Sequence, residues 1–448
     1  MGVPMQVKRW RAAWAWRTSA RASAATLAAA ALVLTACSAG SSSGGAGATS
    51  ASADPSSLSG TVTFWDTSDA TETTAMKSIV AAFEQQYPNI AIDYQKVDAA
   101  KAQGLFKDAA RAGTAPDLMR SEVSWTPEFA SLGYLQPLDQ TPLASDIGDY
   151  LSPALASNQF QGQLWGVPQV TDAAGLLCNK ALLDKAKVSA PKSWDDVKKG
   201  GPAMLAAGAN FIYAPATGYF TLPFVYSMGG DMLNTTTKKV VINDPKAVSG
   251  FQLALDLIKD GSAQAPSFGG AYSQQQELFK QGKVGCIVNG PWAVSDILSG
   301  PAFTNPENLT VNLIPDGTAR GSSPIGGQNL VVYAGADNKE ATYLFAQFLN
   351  STASQVTVAE SDSLLPTRKS AYDQLKASTV PRVRFVRDFQ PVMDRATERP
   401  WIPELSLAYP SMDEQWVRMY TGGVSAQQGA DNMATAWLEF LPSDYTDQ

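Results

Sequence analysis

The sequence predicts an α/β fold in which a parallel sheet is covered by helices. Three observations predict it. From Thr61 onward, β-branched and aromatic runs alternate with segments of helical periodicity. The spacing of those runs is that of strand–helix–strand units. The chain of 448 residues is 45% hydrophobic and 17% charged, enough for a large core, and it shows no internal repeat and no linker inside its body.

The elements follow in order. Thr61-Val62-Thr63-Phe64-Trp65 reads as the first strand, since such side chains suit a pleated surface. Met76, Ile79, Val80, Phe83 and Tyr87 recur at helical spacing until Pro88 ends the helix. Ile90, Ile92 and Tyr94 alternate as a second strand, and Leu105, Phe106, Ala109 and Ala110 mark a second helix. Pro116-Asp117-Leu118-Met119 opens a third strand, followed by a helix over Thr126–Leu132. Asp244-Pro245 reads as N-cap and first residue of a helix carrying Val248, Phe251, Leu255 and Ile258, which Gly261 stops. Val284–Val288 is a short apolar strand, Lys339–Leu349 a helix, and Tyr409–Phe440 two helices broken at Gly422-Gly423.

The stretch before this body reads as an address. Lys8, Arg9, Arg11, Arg17 and Arg21 precede an apolar run, Ala24–Leu34, that is too short to span a bilayer. The run ends in Leu34-Thr35-Ala36-Cys37, which resembles the lipobox of bacterial lipoproteins. That resemblance implies a signal peptide over residues 1–36 and a lipid-modified Cys37 as the mature first residue. Residues 37–59, nearly all Ser, Gly, Ala and Thr after the Cys, read as a flexible tether. The expected location is the outer face of the cytoplasmic membrane, held by acyl chains. Removing 36 of 448 residues leaves 412, and removing five cations takes the charge from −7 to −12.

Composition narrows the chemistry. A net acidic chain lacks the basic face that nucleic-acid binding needs. The absence of His excludes Ser-His-Asp and Cys-His catalysis, HExxH zinc sites and haem ligation by His, and no cofactor or metal is expected. Three Cys are too few for a disulfide scaffold, and Cys178 and Cys286 read as buried free thiols, a disulfide being the alternative outside the cytoplasm. Binding proteins and enzymes that work with carboxylates alone pass this filter.

Six segments in fixed order then carry a resemblance. They are Phe83-Glu84-Gln85-Gln86-Tyr87-Pro88-Asn89-Ile90, Ala115-Pro116-Asp117-Leu118, Phe129–Leu135, Gly175–Leu183, Phe279–Lys283 and Asn289-Gly290-Pro291-Trp292. Together they resemble the extracytoplasmic solute-binding proteins of ABC importers, in the branch that takes maltose, trehalose and related oligosaccharides. One departure is Cys178, where the family pattern carries Tyr. The resemblance implies a two-lobed periplasmic-binding-protein-like fold (type II) with three hinge crossings and solute held in the cleft between the lobes. It places one lobe at about 60–170 and 325–367, and the other at about 175–322 and 373–448. It also implies ABC permease subunits as partners, the ATPase being reached through them, and a monomer.

A sugar offers flat C–H faces and a rim of hydroxyls, so its site needs aromatic platforms and fixed polar groups. At the family's ligand positions stand the aromatics Trp292, Tyr219 and Tyr409. The polar candidates are Asp66, Asp69 and Glu72 after the first strand, Glu122 after the third and Asp172 at the first hinge. Gly326, Gly327 and Gln328 stand at the second hinge, beside Asn329, and Arg399 lies in Arg399-Pro400-Trp401-Ile402-Pro403. For Glu72 a helix N-terminus accounts equally for the charge, and for Gly326-Gly327 so does a bulge. Arg120 and Trp125 lie in a variable segment, with Trp125 either walling the cleft or in the core. So many acids repel anionic solutes and leave neutral oligosaccharides, with polyamines the non-sugar alternative. The competing classes are a carboxylate glycosidase using Asp69, Glu122 or Asp172, and a sensory or adhesive lipoprotein.

Overall fold

Strand β1 (Gly60–Asp66) forms at the first β-branched run and buries Val62, Phe64 and Asp66 on one face, as a half-covered strand must. The computed structural model describes residues 54–447. The leader, Cys37 and most of the tether lie outside the described residues. Helix α1 (Thr73–Gln86) buries Met76, Ile79, Val80 and Phe83, the periodic set, and leads to β2 (Ile90–Lys96). Helix α2 (Ala99–Ala112), capped by the Asp98 side chain and closed by Gly113 at φ +73°, leads to β3 (Leu118–Glu122) and α3 (Trp125–Ser131).

These three strands pair in parallel, β2 and β3 flanking β1. The rest of the sheet is antiparallel, which corrects the all-parallel expectation. Strands β4 (Val167–Ala173), β10 (Ile325–Val332) and β11 (Leu365–Pro366) complete the order β11-β4-β10-β3-β1-β2, with β10 antiparallel to both β3 and β4. A second sheet follows the order β7-β6-β8-β5-β9. Its strands are β5 (Gly175–Asn179), β6 (Asn210–Tyr213), β7 (Ala263–Gln264), β8 (Val284–Asn289) and β9 (Leu309–Asn312). Only Ala174 separates β4 of the first sheet from β5 of the second, and the chain returns to the first through residues 313–324.

Each sheet has its own core, to which α4 (Trp194–Ala206) and α6 (Ala271–Lys280) contribute in the second and α8 (Thr352–Asp362) in the first. Val62, Phe64, Phe83, Leu330 and Phe345 of helix α7 (Lys339–Leu349) build the first. Leu177, Phe211, Phe251, Ile287, Trp416 and Trp437 build the second. The last two belong to α9 (Leu405–Tyr420) and α10 (Ala426–Leu438), which break at Gly422 with φ +78°. Helix α5 (Pro245–Lys259) starts at Asp244-Pro245 as expected, but its inward face is Ala247, Gly250, Phe251, Ala254 and Leu257. Val248, Leu255 and Ile258 are only partly buried. The helix is rotated because Gly250 lies against the Val225 backbone, where a Cβ would come within 2.5 Å.

Cys178 of β5 and Cys286 of β8 are directly opposed in the antiparallel register and form a disulfide. This corrects the free-thiol reading. Register places the two side chains together, and register cannot be read from two separate apolar runs.

Candidate functional site

A cavity of about 450 Å³ opens between the two sheets. One wall comes from the strand ends of the first sheet: Glu122 of β3, Asp172 of β4, and Gly326, Gly327 and Gln328 of β10. The facing wall carries Tyr219, Trp292, Arg399 and, from α9, Ser406, Tyr409, Pro410 and Asp413. A larger hollow of about 670 Å³ lies beside β9, but its lining holds no aromatic ring.

Local sequence explains how each group is presented. In Asn289-Gly290-Pro291-Trp292, the Asn289 amide donates to Gln276 Oε1 at 2.9 Å and its carbonyl oxygen accepts the Gly290 N–H at 2.9 Å. Gly290 has no Cβ to block the indole, since one would sit 1.9 Å from the Trp292 ring. Trp292 Nε1 donates to the Tyr272 hydroxyl at 3.0 Å, and the ring packs against the cores of both sheets. Gly218 plays a matching part for Tyr219. A Cβ there would meet the Met412 backbone at 2.5 Å, so its absence lets α9 approach until Tyr219 and Tyr409 lie 6.0 Å apart between centroids.

Arg399 is the electrostatic centre. Its residue is 4% exposed, its Nη2 donates to Glu122 Oε1 and its Nη1 to the Tyr409 hydroxyl at 3.0 Å. The guanidinium also lies 5.4 Å from the Trp401 ring centroid. Burial opposes the Arg399 charge, yet Glu122 and the nearby tyrosines hold its pKa well above the usual value. Its Nε is buried without a hydrogen-bond partner. Glu122 is steadied by Ser124, whose N–H donates to Oε2 at 2.9 Å. Burial pushes Asp172 up to about 7, with Arg399 opposing and Glu122 reinforcing the shift. Burial likewise raises the pKa of Tyr219 and Tyr409.

Gly326 and Gly327 have steric reasons. A Cβ on Gly326 would stand 2.2 Å from Asp172 Oδ1, and Gly327 adopts φ +130° with a Cβ position 2.1 Å from the Val170 carbonyl oxygen. The pairing shifts register just beyond, between Gln328 and Asn329. Asn329 turns away into a buried polar cluster, accepting from Asn158 Nδ2 at 2.9 Å and donating to Thr126 Oγ1 at 3.0 Å.

Three candidates lie elsewhere. Asp66 is fully buried, accepting from Ser68 N and Oγ at 3.0 and 2.6 Å and from the Tyr94 hydroxyl at 2.5 Å. Glu72 is the N-cap residue of α1 and pairs with Arg120 Nη2 at 3.0 Å, while Arg120 Nε donates to Gln169 at 2.7 Å. Asp69 caps the Thr71 and Glu72 N–H groups at 2.8 and 2.9 Å and lines a separate cavity of about 290 Å³, shared with Trp292 and Tyr272. Gln103, Ser124, Ser406, Pro410 and Asp413 went unseen in the motifs, and Trp125 does line the cavity. One signal was available for three of them. Ser406, Pro410 and Asp413 share one face of α9 with Tyr409, at spacings of three and four.

The chain matches a family of bacterial extracellular solute-binding proteins over residues 67–356. It is similar to the maltotriose-binding protein of Pyrococcus abyssi, 25% identical over 296 residues, which are 65% of this chain and 62% of the relative. The galactooligosaccharide-binding protein of Bacillus subtilis is 26% identical over 397 residues, 85% of this chain and 90% of that relative. Among solved structures, the GacH receptor of Streptomyces glaucescens, crystallised unliganded and with acarbose, superposes with a TM-score of 0.82. It is 38% identical and covers 87% of this chain and 100% of its own. Maltose-bound MalE3 of Thermotoga maritima shares the fold, with a TM-score of 0.76 at 24% identity over 85% of this chain and 100% of that one.

Proposed function

Because the chain belongs to the bacterial extracellular solute-binding protein family, we propose that it is the ligand-capturing component of a carbohydrate ABC importer. Its ligand is a neutral di- or oligosaccharide of the maltose, maltodextrin or trehalose type, held between two lobes outside the cytoplasm. The observation that carries this reading is convergence. Trp292, Tyr219 and Tyr409 line one cavity together with the Glu122–Arg399 pair and Asp172. Aromatic faces suit the C–H faces of sugar rings, and the Glu122–Arg399 pair with Asp172 suits a rim of hydroxyls. Relatives named for maltotriose and galactooligosaccharide binding, and the receptor crystallised with acarbose, support the same class.

The two-sheet layout supports the following working cycle. Lobes of about 60–170 with 325–367, and about 175–322 with 373–448, rotate about hinges near 170–174, 322–327 and 366–372. Ligand favours the closed state only through contacts it makes better there. The closed form docks on the permease as a monomer, tethered through lipidated Cys37, and no bond in the sugar is broken.

A thermal-shift screen of maltose, maltotriose, trehalose, cellobiose, xylobiose, acarbose and putrescine tests the reading. Stabilisation by an α-linked glucose oligomer is expected. Stabilisation by putrescine alone contradicts it, and release of glucose from maltotriose by the purified protein revives the glycosidase.

A further inference from the structure

At one place in the cavity, lining residues from its two walls touch. Gln103 stands on α2, among the helices of the first sheet, and Ser406 on the first turn of α9, which packs with the second core. Both line the cavity. Gln103 Nε2 donates to Ser406 Oγ at 2.8 Å and to Glu128 Oε2 at 2.5 Å. Ser406 Oγ donates to the same carboxylate oxygen at 3.3 Å. Lys107, one helical turn after Gln103, holds the other oxygen of Glu128 at 2.8 Å.

This cluster is built rather than incidental. The Glu128 side chain is 12% exposed, and both of its oxygens are occupied by donors from α2 and α9. Charge-assisted hydrogen bonds in such partly buried settings are stronger than neutral ones in water. A ligand that ran on between α2 and α9 would have to break the amide–hydroxyl contact and strip Glu128 of two of its donors. Among the described residues that line the cavity, the other hydrogen bond that spans the walls is that of Arg399 with Glu122, which belongs to the binding surface itself.

We propose that Gln103, Ser406 and Glu128 form a length gate that limits how many sugar units the cleft accepts. The inference rests on the oligosaccharide reading above and assigns its specificity to positions outside every motif in the sequence. Gln103 and Ser406 meet the ligand's end, and Glu128 is a positioning residue that holds them together.

The test is calorimetry with a maltodextrin series from disaccharide to heptasaccharide, on the wild type, Gln103→Ala and Ser406→Ala. The wild type should lose about tenfold or more in affinity beyond a limiting length. In both variants the ratio of long-chain to short-chain affinity should rise by about tenfold, a change that a general loss of packing does not produce. Should Gln103→Ala fail to fold, Ser406→Ala, which removes one hydroxyl, decides the matter. An unchanged ratio in the folded variants overturns the gate. So does a wild type indifferent to length, which leaves the oligosaccharide reading standing. A wild type that binds no member of the series overturns that reading and the gate with it.

Discussion

Arg399 ties together more of the site than any other side chain, because it serves Glu122 and Tyr409 at once. A lysine offers a point charge in place of the fork. Arg399→Lys should therefore weaken sugar binding by about tenfold or more, read by calorimetry. Arg399→Ala should also cost about 1–3 kcal/mol of stability in urea unfolding, because the partly exposed Glu122 loses its charged partner. Asp172 gives a pH signature. A ligand hydroxyl donated to its carboxylate favours the ionised form and lowers its pKa in the complex. The complex then holds fewer protons than the free protein, so affinity should climb as pH rises through about 7. Asp172→Asn should flatten that profile, and a flat wild-type profile between slightly acid and slightly alkaline pH counts against the contact. At this scale the sequence was partly legible. Glu122, Asp172, Trp292 and Arg399 sit in segments whose motif positions point to the cleft. Asp66 and Glu72 lie outside this cavity, and an acid after a strand looks the same in sequence whether it caps a turn, pairs with a buried Arg or faces a ligand.

At the scale of elements, the β5–β8 disulfide closes a separation of 108 residues across the second sheet. Replacing both Cys178 and Cys286 by Ser should lower stability by about 2–5 kcal/mol, measured by urea unfolding of the oxidised wild type against the variant. Strand β10 is the other sensitive element. Gly326→Ala should push the Asp172 carboxylate aside, weakening binding more than folding, whereas Gly327→Ala is strained by its φ of +130° and should destabilise the sheet. Strand and helix positions in the first lobe were readable because periodicity is local. The antiparallel partners of β10 were not, because Gln328 opposes Glu122 from more than two hundred residues away and no local pattern records that pairing. The α9 face was half visible, since Tyr409 marked it and Ser406, Pro410 and Asp413 follow from helical spacing alone.

Across the whole molecule, two cores meet at one cavity, and Trp292 packs against both. On the function proposed above, that ring couples closure to binding. If ligand draws the lobes together, small-angle scattering should show a smaller radius of gyration with saturating maltotriose, and no change in Trp292→Ala at the same concentration. The two-lobed layout was legible through motif order rather than through composition, which showed only a large α/β chain with no His. The most direct measurement of the central claim is isothermal titration of the protein with maltotriose beside Trp292→Ala and Tyr219→Ala. The account predicts one saturable site of micromolar affinity, about −8 kcal/mol, in the wild type. It predicts at least about tenfold weaker binding in each folded variant. Equal affinity in all three proteins, or no heat from the wild type with any oligosaccharide of the screen, would contradict it.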